Sequence, residues 1–206
     1  MLTIIDHNAG NLRSVKRACD KVGLESQLTQ DPETVVRASK IIFPGVGAAK
    51  HAMDTLHRTG LAQALIEAAR KGTPVLGICV GAQIMLDRSE EGDVAALGLI
   101  PGVTRRFKLS DPALKIPHIG WNQARVVQPH PLLEGLRDED EVYFVHSYYL
   151  DPASPSHAYA MTDYGGDFCC AIGRDNLFAT QFHPEKSGPI GLALLERFSR
   201  WEGTPC

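Results

Sequence analysis

No apolar run in these 206 residues approaches the roughly 18 that a membrane-spanning helix needs. Lysines and arginines are dispersed, with only short pairs such as Arg105-Arg106, so the chain lacks the basic patch that nucleic acid requires. Five cysteines, Cys19, Cys79, Cys169, Cys170 and Cys206, form an odd set without metal-ligand spacing, which suits a reducing compartment. His118 and His146 belong to no recognisable ligand pattern, and neither a metal nor a cofactor is expected. The start, Met1 to Asp6, reads as a short strand rather than a basic region ahead of a long apolar core. Export and membrane insertion are therefore not expected, and a cytoplasmic location is. No linker or low-complexity stretch breaks the chain, so a single domain over residues 1–206 is expected. A net charge of −3 is ordinary for a cytosolic enzyme.

What the chain does contain is chemistry at two distant places. Gly77-Ile78-Cys79-Val80-Gly81 follows an apolar stretch from Pro74 to Ile78 and leads into a helix start over residues 81–86. Cys79 thus stands at a strand-to-helix corner, with glycines two residues to either side where strained backbone needs small neighbours. Backbone N–H groups at a helix start favour thiolate over thiol. In Gln181-Phe182-His183-Pro184-Glu185, proline keeps His183 extended, and residues two apart in extended backbone project the same way. Glu185 can then fix the His183 tautomer and leave the other ring nitrogen for a thiol. Taken singly, Cys79 reads as a small buried hydrophobe, His183 as a turn residue and Glu185 as a charge heading the last helix. Together they read as nucleophile, base and orienter.

The layout agrees. Strands are expected at residues 2–6, 26–29, 40–43 and 74–78, alternating with helices at 11–22, after Asp31-Pro32, at 48–57 and at 61–71, which makes a parallel sheet covered on both faces. Beyond Pro101 the texture changes to short strands, expected at 104–107, 123–127, 141–149, 158–162, 168–172 and 177–182 and mostly antiparallel, before a last helix at 188–201. The expected class is a three-layer α/β fold with a smaller antiparallel portion. Both Cys79 and His183 follow strands directly, where open α/β sheets place their sites.

The Cys79 corner, the Pro44-Gly45-Val46-Gly47 loop and His183-Pro184-Glu185 resemble the class I, or triad, glutamine amidotransferases over most of the chain. That resemblance implies hydrolysis of L-glutamine to glutamate and ammonia. It makes Cys79 the nucleophile, His183 the proton shuttle, Glu185 its orienter, and the N–H groups of Val46 and Val80 the oxyanion donors. Gly45, Gln83, Glu91, Ser147 and Tyr148 are implied as the glutamine site. Pro117-His118-Ile119-Gly120-Trp121-Asn122, with Gly10-Asn11-Leu12-Arg13-Ser14 and Phe144-Val145-His146-Ser147-Tyr148, is similar to the glutaminase subunits of imidazole glycerol phosphate synthases. Such subunits pass ammonia to a cyclase subunit in histidine biosynthesis. The likeness places Asn11, Trp121, Asn122 and Lys186 on the face that docks the cyclase, as a heterodimer. The chain departs from that group at His7-Asn8, where a tyrosine-glycine pair is usual, and at Val80 and Ala82 in the elbow. Three other readings stay open here: a paralogous glutaminase serving a related sugar-aminating synthase, an inactive docking subunit, and a cysteine peptidase.

Overall fold

The computed structural model describes residues 1–7 and 12–204. Its strands, in chain order, are β1 (Leu2–Ile5), β2 (Ser26–Thr29), β3 (Lys40–Gly45), β4 (Val75–Cys79), β5 (Arg88–Ser89), β6 (Val94–Ala95) and β7 (Gly102–Arg106). They continue with β8 (His118–Gln123), β9 (Arg125–Val126), β10 (Glu141–His146), β11 (Tyr148–Pro152), β12 (Ala158–Asp163), β13 (Asp167–Arg174) and β14 (Leu177–Thr180). The α-helices are α1 (Leu12–Lys21), α2 (Pro32–Val36), α3 (Ala49–Thr59), α4 (Leu61–Arg70), α5 (Val80–Gln83) and α6 (Gly188–Arg200). None is long and apolar enough to cross a membrane among the described residues.

Twelve strands form one sheet, in which β2-β1-β3-β4-β14 run parallel and β13, β11 and β12 continue it antiparallel. Helices cover it in two groups, α1 with α6 and α2 with α3 and α4. The inner parallel strands β1, β3, β4 and β14 are largely apolar because both faces are covered: Ile4, Ile41, Ile42, Phe43 and Phe178 have no exposed surface, whereas the edge strand β2 is more polar and partly exposed. Local signals hold at the helix ends. Asp31 accepts from the backbone N–H groups of Glu33 and Thr34, and Pro32 opens α2.

Three expectations differ from the structure. The helix after Cys79 stops at Gln83 rather than running to residue 86. The carbonyls of Ile84, Met85 and Leu86 accept from the N–H groups of residues 97–100 instead of from a further helical turn. Residues 141–149 are two strands, not one: β10 pairs with β8 in a separate two-stranded ribbon, while β11 joins the large sheet, and Ser147 is the break between them. Finally, β8 itself fills a stretch, residues 118–123, for which no strand is expected from the sequence apart from its last residue.

One contact makes the corner at Cys79 possible. A Cβ built on Gly81 would lie 1.9 Å from the Phe43 carbonyl oxygen, and one on Gly45 would lie 2.9 Å from the Gly81 nitrogen. The backbones of β3 and α5 approach so closely that only glycine fits. Gly81→Ala should therefore destabilise the protein by about 1–3 kcal/mol. Urea unfolding is expected to give a lower midpoint with unchanged slope, and an unchanged midpoint would refute the packing argument.

Candidate active site

Strand β4 lies between β3 and β14, with Gly45 opposite Cys79 and Thr180 opposite Ile78. Register alone therefore delivers the glycine loop, Cys79 and the segment ending in His183 to the same edge. Cys79 sits at φ 55°, a left-handed conformation that costs a non-glycine residue free energy and that the surrounding packing must hold. Its sulfur lies 3.8 Å from the Gln181 amide nitrogen and 4.0 Å from the Val145 carbonyl oxygen. A helix as short as α5 carries little dipole, so the helix start contributes little charge beside this sulfur.

His183 Nδ1 lies 2.8 Å from Glu185 Oε1, and both side chains are almost fully buried. Burial pushes the His183 ring down, but hydrogen bonding and charge from Cys79 and Glu185 outweigh it and raise the ring to about 9. Nε2 is buried with no fully formed hydrogen bond among the described residues, while Cys79 is among the groups that raise the ring. Two backbone bonds fix the turn: His183 N–H donates to the Tyr143 carbonyl at 2.9 Å, and the Ser187 hydroxyl donates to the His183 carbonyl at 2.7 Å.

Cys79 and His183 share the wall of a cavity of about 340 Å³. Val46, Val80, Gln83, Glu91, Ser147 and Tyr148 line it as well. Gly45 is not on the wall; it is buried beneath the elbow against Gly81. The Gln83 amide donates to the Tyr148 carbonyl and to Gln181 Oε1, both at 3.1 Å. Glu91 accepts from the Ala49 N–H at 2.7 Å, which ties the turn after β5 to the first residue of α3. It is the one carboxylate among the described residues lining this cavity. A larger cleft, about 680 Å³, lies over β11 to β13 and includes none of the residues expected at the site.

Sequence reasoning assigned no role to Gln181, fully buried beside the sulfur, nor to His146 and Pro117, which also line the cavity. Gln181 stands two residues before His183, and in extended backbone that spacing was the available signal. The Cys169-Cys170 pair is core: both thiols are free and buried, and burial pushes both up, away from thiolate.

Of the expected docking residues, Asn11 lies outside the described residues. Trp121 is half exposed, stands across the ribbon from Tyr143 and contacts its ring edge-on at 5.9 Å. The Lys186 ammonium lies 5.4 Å from the same tyrosine ring, so these three side chains form one patch beside the His183 turn. Asn122 alternates to the other face of β8 and donates to the Asp163 carbonyl at 2.9 Å. His7, one of the departures, is buried with Nε2 2.9 Å from the Pro44 carbonyl oxygen.

Comparison with known proteins narrows the family. The profile of glutamine amidotransferase class-I matches residues 3–200. The imidazole glycerol phosphate synthase subunit HisH of Desulfovibrio desulfuricans is 49% identical over 203 residues, covering 96% of this chain and 93% of that relative. The subunit of the same name from Nitratidesulfovibrio vulgaris strain DP4 is 50% identical, covering 98% of this chain and 96% of its own. Among solved structures, PurLQS from Thermotoga maritima shares the fold with a TM-score of 0.74 at 16% identity, covering 97% of each chain. With identity near one half along nearly its whole length, the chain belongs to the class-I glutamine amidotransferases and, within them, to the HisH subunits of imidazole glycerol phosphate synthase.

Proposed function

We propose that the whole chain works as one glutaminase domain in the cytoplasm, hydrolysing L-glutamine through Cys79, His183 and Glu185 and handing the ammonia to a cyclase subunit. The observation that carries this reading is the His183–Glu185 bond of 2.8 Å beside Cys79 on the wall of one small cavity. The Cys79 thiolate attacks the side-chain amide carbon, and the imidazolium of His183 gives its proton to the departing ammonia. Water then hydrolyses the thioester, with His183 taking the proton that water gives up. Glu185 holds the ring in one tautomer throughout. Negative charge on the tetrahedral oxygen falls to the N–H groups of Val46 and Val80, a contribution of about 3 kcal/mol per donor. Gln83, Ser147 and Tyr148 receive the amino-acid end of glutamine, Glu91 complements its ammonium, and Gly45 serves by seating the elbow. A cavity of about 340 Å³ suits one amino acid rather than a peptide.

The cyclase docks on the patch of Trp121, Tyr143 and Lys186; the family likeness adds Asn122, which faces away from that patch, and Asn11, which lies outside the described residues. Trp121 is a large exposed aromatic next to a cation, the residue types that anchor interfaces. Mixing the chain with a histidine-pathway cyclase and its nucleotide should raise glutamate release about tenfold or more. Trp121→Ala should weaken the association about tenfold, read by calorimetry. Absence of stimulation by a folded, ligand-bound cyclase would point to a different synthase as partner.

Cys79→Ala should lower kcat about 10⁴-fold or more and abolish labelling by a glutamine-like electrophile. Labelling that persists in this variant would move the nucleophile elsewhere.

The raised His183 ring has a consequence for pH. Folding stability from this group is fully present below the ordinary histidine value and is lost as pH rises through about 9. The same titration removes the proton needed by the leaving ammonia. Glu185→Gln deletes one cause of the rise, so the alkaline limb of kcat/KM should move down by about 1 pH unit or more. An unmoved limb would refute the orienting role.

A further inference from the structure

His118 and His146 face each other across the ribbon, and neither takes part in the steps above. Their rings meet at 3.0 Å, His118 Nδ1 to His146 Nε2. On the far side His146 Nδ1 lies 2.7 Å from the Tyr148 carbonyl oxygen, and the Asn122 amide nitrogen lies 3.4 Å from His118 Nε2. A carbonyl only accepts, so His146 must carry its proton on Nδ1. Burial pushes the two rings down to about 3 and about 4, which keeps both neutral. His146 Nε2 is then an acceptor, His118 Nδ1 must donate to it, and His118 Nε2 accepts from Asn122. The order of donors is thus forced from Asn122 to His118 to His146 to the Tyr148 carbonyl. Aromatic walls hold the rings in place: His118 is stacked between Tyr164 at 3.9 Å and Phe144 at 4.9 Å.

We propose that His118 and His146 are positioning residues, a directional relay that sets the Tyr148 peptide on the cavity wall and ties it to the strand bearing Trp121. The proposal rests on the glutaminase reading, in which that peptide receives the amino-acid end of glutamine. The Tyr148 carbonyl takes a second donor, the Gln83 amide at 3.1 Å, so losing the imidazole leaves it bound from one side only.

The test is steady-state kinetics of the chain in its cyclase complex. His118→Phe keeps an aromatic ring but removes the donor, and should raise the glutamine KM about tenfold while kcat changes less than about threefold. His118→Asn restores a donor near Nδ1 and should return KM to within about threefold of the parent. A His118→Phe enzyme with parental KM, or an asparagine variant impaired as much as the phenylalanine one, overturns the proposal. Nitrogen NMR of the unsubstituted protein supplies a readout independent of activity and of variant folding. Both rings are expected as the Nδ1–H tautomer, and an Nε2–H tautomer at either overturns the relay. If the unsubstituted complex releases no glutamate, the glutaminase reading fails on its own, and the tautomers still decide the relay.

Discussion

The site depends on the register of β4 between its two parallel neighbours. With Gly45 opposite Cys79 and Thr180 opposite Ile78, residues from three remote parts of the chain end at one edge, and no loop has to search for another. A slip of one residue would turn every side chain of β4 to the opposite face and carry the sulfur away from the imidazole. Register is secured by burial on both faces, since each residue of β4 is buried and no polar side chain favours an alternative. The same pairing brings the backbones of β3 and α5 so close that glycine is needed at Gly81 and Gly45, on either side of the strained Cys79.

Behind that edge, polar groups are buried in connected sets rather than singly. Gln83 links Gln181 to the Tyr148 carbonyl, and its own carbonyl accepts from the Thr104 hydroxyl at 2.9 Å. Unpaired, any of these would cost about 1–3 kcal/mol, so their mutual satisfaction fixes the cavity wall as firmly as the apolar core fixes the sheet. Among the buried side-chain atoms without a fully formed bond in the described residues, which include His7 Nδ1 and Thr162 Oγ1, are His183 Nε2 and Glu185 Oε2. Both belong to the two side chains proposed to move and steer the proton.

Much of this was legible in the chain itself, for physical reasons that can be named. Apolar runs gave β1, β3 and β4 to within two residues, because strands buried on both faces need no partner-specific signal, while the partly exposed edge strand β2 was bounded by Gly23 before it and Asp31-Pro32 after it. Asp31-Pro32 announced α2 through purely local bonds. Cys79, His183 and Glu185 were readable because their chemistry constrains their neighbours, glycine around the sulfur and proline after the imidazole. Where the reading stopped, long-range contacts decide. Ser147 carries no turn signature, and the break there exists because β10 and β11 pair with different partners. The helix after Cys79 is cut short by N–H groups more than ten residues ahead. Gly45 looked like a cavity residue and is instead a spacer under the elbow, a distinction that only the Gly81 approach reveals. Asn122 and Trp121, adjacent in sequence, part company because a strand alternates.

The ribbon of β8 and β10 is stitched to the histidine turn at two points, by the His183 N–H on the Tyr143 carbonyl and by the Ser187 hydroxyl, which accepts from the Tyr143 N–H at 3.0 Å. The sulfur, by contrast, is anchored in the parallel sheet. His183 follows β14 of that same sheet, so the turn carrying the imidazole is shared by sheet and ribbon, and the strand bearing Trp121 meets the candidate site through the Tyr143 backbone.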